Sequence, residues 1–196
     1  MKCLYCDRKI EKYTFSSLFL KEDGLCCECR SRLIPKRKII NIRGMEVETF
    51  FEYDGMFRSL LLQYKECCDE ALKDVFLYGI SDYINLRYHG YRLLFVPSSQ
   101  TKLKMRGFDH LEEMFSEVKL KRTGGLKMKR ELTQEGRNRE ERNLMLNNYI
   151  YEGGPLKKVL IVDDVVTTGS SLAGVFRTIE LFSPKIKVLA LAYKKT

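Results

Sequence analysis

Fourteen consecutive residues, Val159 to Leu172 (VLIVDDVVTTGSSL), constrain this chain more than any other stretch. The apolar run Val159 to Val162 fits a strand buried on both faces, as in a parallel sheet. It ends in two adjacent carboxylates, Asp163 and Asp164. Small hydroxylated residues follow, and then a helical pattern through Leu172, Val175, Phe176, Ile179 and Leu181. In such a strand–loop–helix unit the loop lies at the carboxyl edge of the sheet, where open α/β folds bind ligands. The backbone N–H groups of Thr168 to Ser171 would project from a helix N-terminus, and Gly169 lets an anion approach the chain closely. Two acids beside a phosphate cup would repel the phosphate itself. They suit a ribose, whose vicinal hydroxyls donate to carboxylates. The bland alternative is a strand and helix joined by an ordinary Gly/Ser turn. A P-loop is excluded, since no Gly-Lys-Ser/Thr follows the glycine.

This stretch resembles the phosphoribosyl pyrophosphate (PRPP) motif of type I phosphoribosyltransferases at all fourteen positions. The resemblance implies that Asp163 and Asp164 hold the ribose hydroxyls. It also implies that Thr167, Thr168, Gly169, Ser170 and Ser171 cradle the 5′-phosphate.

A chain of 196 residues suits one α/β domain with a small appendage. No apolar run is long enough to span a bilayer. The N-terminal MKCLYCDRKI lacks the apolar core of a signal peptide. A soluble, cytoplasmic protein with no membrane insertion is expected. The net charge of +9 favours polyanionic partners or phosphorylated ligands, or simply a solvated basic face.

In a reducing compartment the seven cysteines are not a disulfide scaffold. Cys3-x-x-Cys6 and Cys26-x-x-Cys29, separated by nineteen residues, have the spacing of a structural four-cysteine zinc ribbon. Each knuckle turns two thiolates toward one point, and two knuckles close a tetrahedron around Zn²⁺. Redox-active or incidental thiols are the alternative, and Cys27 could replace Cys26 as ligand. Cys67 and Cys68 read as ordinary small side chains.

Along the chain, residues 1–34 form the zinc ribbon and residues 35–52 a basic connector or hood segment. Residues 53–196 form the phosphoribosyltransferase-like domain. Val47 to Tyr53 alternates like a strand. Met56 to Tyr64 and Glu70 to Leu86 read as helices, Leu93 to Val96 as a short buried strand, and Ile186 to Tyr193 as a last strand. Helical periodicity recurs near Leu111, Met114, Phe115 and Val118. Strands alternating with helices imply a parallel, doubly wound sheet. Lys119 to Asn148 is polar and strongly basic.

A PRPP site must also hold the pyrophosphate from another strand end. The turn after Leu93 to Val96 offers Ser98 and Ser99 with Lys102, Lys104 and Arg106; its alternative is a basic surface loop. Arg106-Gly107 sets a sharp turn into the next helix. His110, at a turn-to-helix start, suits packing or capping more than proton transfer.

FVPSSQTKLKMRGFDH resembles the VP-x-basic-RGFNQ segment of the ComF family. Tyr64-Lys65 and Asp69 are similar to another segment of that family, and Thr133, Gln134 and Arg142 to a third. Asp109 and His110 replace the usual Asn-Gln pair, and Cys67 and Cys68 replace a basic residue and glycine. The family joins an N-terminal zinc ribbon to a phosphoribosyltransferase domain. The resemblance implies a type I phosphoribosyltransferase fold, PRPP binding with Mg²⁺ on the pyrophosphate, and a role in natural transformation with a ComFA-like helicase partner. Single-stranded DNA is a candidate ligand and a homo-oligomer is compatible. The alternative is a genuine phosphoribosyltransferase of nucleotide metabolism with an unidentified acceptor, in which the basic stretch Lys119 to Arg142 serves as a mobile loop.

Overall fold

The computed structural model describes residues 1–10, 23–129 and 148–195. Its strands are β1 (Lys38–Ile42), β2 (Met45–Thr49), β3 (Phe51–Glu52), β4 (Arg92–Phe95), β5 (Leu126–Met128), β6 (Tyr149–Tyr151), β7 (Val159–Val166) and β8 (Ile186–Tyr193). Among the described residues six of them form one sheet in the order β1-β2-β8-β7-β4, with β3 paired to β8 beyond the end of β2. β2, β3 and β7 all run parallel to β8, and β4 runs parallel to β7. Within this sheet, among the described residues, only the edge strand β1 is antiparallel, joined to β2 by a two-residue turn at Arg43-Gly44. Both turn residues have positive φ, 53° and 78°, as a hairpin turn matching the sheet twist requires.

Successive side chains of the central strands go to opposite layers. Leu160 and Val162 of β7, with Leu189 and Leu191 of β8, enter one cluster; Val159, Ile161, Val188 and Ala190 enter the other. The first layer is covered by α2 (Gly55–Glu66), α3 (Ser81–Arg87) and α5 (His110–Met114), the second by α6 (Ser170–Ile179). Each fully buried aliphatic side chain contributes about 1.5–3 kcal/mol. The continuous apolar reading of Val159 to Val162 therefore reflects burial on two faces, and the α/β parallel-sheet class holds.

Three elements differ from the sequence reading. The stretch predicted as one helix from Glu70 to Leu86 is a 3₁₀ turn (Glu70–Val75) followed by α3, and it breaks at Gly79, whose φ is 73°. The connector contains strand β1, which its basic, half-exposed composition conceals. β7 continues through both acids to Val166, pairing Asp163 with Ala190 and Val165 with Ala192. The carboxylates thus project from a strand and not from a loop.

The cysteine-rich segment packs directly on the first layer. Cys3, Leu25, Cys29 and Leu33 are buried in the same cluster as Phe50, Phe57 and Val75. Arg30, on α1 (Cys27–Arg32), pairs with Asp23 and donates to the carbonyl of Val75 at 3.2 Å. Its guanidinium lies 4.5 Å from the centre of the Tyr78 ring. No helix among the described residues is long and apolar enough to cross a membrane.

Candidate functional site

Asp164 is buried and held from two helices. Its Oδ2 accepts a charge-assisted bond from Lys65 of α2 and lies 2.7 Å from Nε2 of His110, the first residue of α5. Burial alone would raise the Asp164 pKa, but the charges and hydrogen bonds of Lys65 and His110 overcome it and hold the carboxyl well below the usual range. Asp163 alternates to the opposite side and is half-buried. Its Oδ1 accepts from the Asp164 backbone N–H at 2.9 Å. Burial, and then the neighbouring Asp164 charge, push Asp163 up to about 8. The two acids therefore have different roles in the ligand-free chain: one is an ionised anchor, the other a carboxyl that keeps its proton to higher pH.

The second predicted half of the site meets the first at His110. Ser98 Oγ lies 3.3 Å from His110 Nδ1, so one imidazole spans from the β4–α4 loop to β7. Ser99 is the N-cap of α4 (Gln100–Arg106), its hydroxyl accepting from the Lys102 N–H at 3.3 Å. The Lys102 side chain is exposed on that helix. Arg106 is buried; its Nε donates to the Lys65 carbonyl at 3.0 Å, and its Nη1 has no hydrogen-bond partner among the described residues. Gly107, at φ 82°, closes α4 in the left-handed conformation that glycine tolerates. Asp109 caps α5 through the Leu111 and Glu112 N–H groups, which frees the His110 ring for the site.

The loop after β7 is closed by the β1–β2 hairpin. Arg43 Nε donates to the Thr168 carbonyl at 2.8 Å. Gly169, at φ 68°, starts α6, and a Cβ there would come within 3.1 Å of Ile42. Thr167 and Thr168 are exposed, and Thr168 Oγ1 lies 3.0 Å from Ser170 Oγ. Ser171 hydrogen-bonds Tyr149 of β6. Thr133, Gln134 and Arg142 lie outside the described residues.

In the cysteine-rich segment the Sγ atoms of Cys3, Cys6, Cys26 and Cys29 lie within 4.8 Å of one another, and Cys27 is exposed outside the cluster. The Cys26 N–H donates to Cys3 Sγ at 3.3 Å, and Arg8 Nε to Cys6 Sγ at 3.4 Å. The Arg8 backbone N–H and guanidinium hold the Cys6 thiol down, to about 6. Four convergent sulfurs with N–H donors behind them fit a tetrahedral soft metal site.

Competence protein ComFC of Streptococcus pneumoniae is 27% identical to this chain over 207 residues, covering 92% of the chain and 94% of that protein. The chain is ComF-like. No family model matches it. The segments that carry the ComF resemblance supply contacts at and beside this site: Tyr64 donates its hydroxyl to the His110 carbonyl at 3.0 Å, Lys65 holds Asp164, and Asp69 accepts from Gln63 at 2.8 Å. Sequence reading singled out Lys65 only through that likeness and gave it no role. Arg43 carried no signal beyond its place in the basic connector.

Proposed function

We propose that this ComF-like chain binds PRPP between the 98–106 loop and the 163–171 segment and acts in natural transformation, a reading supported by its likeness to a protein named for competence. Asp163 and Asp164 take the ribose hydroxyls, and Thr167 to Ser171 take the 5′-phosphate. Ser98, Ser99, Lys102 and Arg106 take the pyrophosphate with its Mg²⁺. One observation carries this reading: Arg106, buried at 8% exposure in the proposed pyrophosphate loop, keeps a guanidinium nitrogen without a partner among the described residues. A buried, unmatched cationic donor is costly unless an acceptor completes it, and a pyrophosphate oxygen is such an acceptor. Zn²⁺ at the four cysteines acts structurally. A helicase of the ComFA kind and single-stranded DNA are the proposed partners, and the cytoplasm the proposed location.

Calorimetry with PRPP and Mg²⁺ tests the site. The Asp163→Ala, Asp164→Ala double variant should lose affinity, each lost hydrogen bond to a charged acceptor costing roughly 1.5–3 kcal/mol. Unchanged affinity refutes the ribose assignment. Pyrophosphate release from PRPP, assayed over a panel of nucleobases and single-stranded DNA, separates a binding protein from a true phosphoribosyltransferase.

A further inference from the structure

We propose that His110 is a proton-linked positioning residue: taking up a proton, it turns the Ser98 hydroxyl from an inward donor into an outward donor for a bound phosphate anion. The inference rests on the PRPP reading of the same site and adds to it a pH dependence and a named switch.

The argument is one of donors and acceptors. The His110 ring is buried, its backbone fixed by the Tyr64 hydroxyl and by the Asp109 cap of α5. Nε2 faces Asp164 Oδ2 at 2.7 Å, and Lys65 also donates to that oxygen. An ionised carboxylate only accepts, so Nε2 carries a hydrogen in every state of the ring. The state of Nδ1 is then the only variable. In the neutral ring Nδ1 has a lone pair, and the donor it faces is the Ser98 hydroxyl at 3.3 Å. Asp109 Oδ1, 4.0 Å away, is another acceptor and cannot satisfy it. The single Ser98 proton is therefore directed inward, and Ser98 presents lone pairs to the loop. In the imidazolium, Nδ1–H donates to Ser98 Oγ and the Ser98 proton is released outward. A phosphate oxygen needs a donor there and would be repelled by lone pairs.

Facing charges bear on the same equilibrium. Asp164 and Asp109 present negative charge to the ring; Lys65, and Arg106 bonded to the Lys65 carbonyl, present positive charge. An arriving anion adds to the first group. Binding an anion to the outward Ser98 donor thus takes up a proton at His110, and affinity falls as pH rises.

The experiment uses the whole chain and inorganic pyrophosphate, with PRPP as a second probe, in calorimetry across buffers of different ionisation enthalpy. Wild type should take up more protons per bound pyrophosphate than His110→Gln, the difference approaching one at the alkaline end. Glutamine spans the same two neighbours without titrating. Wild-type affinity should fall by up to about tenfold per pH unit relative to the variant. Ser98→Ala, a half-buried loop substitution that keeps the inference testable if His110→Gln fails to fold, should also flatten the profile. Pyrophosphate binding with the same proton uptake in wild type and in either variant overturns the proton role and leaves the PRPP site standing. Absence of binding by both probes in wild type overturns the site reading and this inference with it.

Discussion

Arg43 donates its Nε–H to the Thr168 carbonyl across 2.8 Å, joining the β1–β2 hairpin to the loop that follows β7. The bond comes from a residue at φ 53°, a conformation in which asparagine or glycine is more usual. Arg43→Gly separates the backbone from the side chain. Glycine removes the strain, so thermal stability should hold or rise slightly. Loss of the guanidinium should weaken PRPP binding by about tenfold or more, one hydrogen bond to a charged group contributing roughly 1.5–3 kcal/mol. Wild-type affinity in this variant, measured by calorimetry, would detach the hairpin from the phosphate loop's function.

Asp163 gives a stability test with a definite sign. In the folded chain its pKa is raised to about 8, so it keeps a proton that the unfolded chain has already released. Stability from this group is present below the ordinary carboxylate pKa and declines as pH rises toward 8. Asp163→Asn retains an oxygen for the Asp164 N–H and removes the titration. Its melting temperature should gain on wild type from pH 5 to pH 8.5, each kcal/mol appearing as about 2–4 °C in a chain of this size. PRPP affinity should fall in the same variant. An advantage that does not change with pH would contradict the raised carboxyl.

The central strands and α6 were legible in the sequence because their signals are local. Burial on alternate sides makes β7 continuously apolar, and Leu172, Val175 and Ile179 repeat at helical spacing. β1 was missed because KIINI is an edge strand with charged and polar positions and a partner on one side only. The helix predicted over 70–86 failed at one residue, Gly79, which sits in left-handed backbone. The site was half legible. Asp163, Asp164, Ser98 and Arg106 belong to recognisable segments, but the Lys65 and His110 contacts on Asp164 cross 99 and 54 residues of chain. No local pattern encodes a contact at that separation. His110 read as a packing or capping residue because it starts a helix; its ring is buried, Asp109 performs the capping, and the imidazole bridges Asp164 and Ser98.

For the cysteine cluster, purified protein should carry about one zinc, with Cys3→Ala, Cys6→Ala abolishing it. Cys3, Leu25, Cys29 and Leu33 share a core with Phe57 and Val75, so metal loss should propagate. Structural zinc binding contributes on the order of 10–16 kcal/mol in zinc-finger peptides. Chelation should therefore lower the main calorimetric transition as well as unfold the N-terminal segment. Metal analysis finding no zinc in protein prepared without chelator would sink the assignment.

Between Lys119 and Arg142 nine basic residues stand against four acids. Lys127 is paired with Glu152 at 2.5 Å, while Lys129 shows no ion pair among the described residues; Arg130 to Arg142 lies outside them. If the stretch binds single-stranded DNA, affinity should fall with salt at a slope of about −0.7 per phosphate neutralised. Replacing Lys127, Lys129 and Arg130 with Ser should flatten that slope without changing zinc content. Lys127 should contribute least of the three, because DNA must displace Glu152 to reach it. Sequence preference should be weak, since the stretch has no interleaved aromatics on which bases could stack. If the segment instead serves PRPP turnover as a mobile loop, the same triple variant should lose pyrophosphate release and keep its DNA affinity. Measuring both on one protein decides between them, and a variant normal in both assigns the stretch to solvated surface.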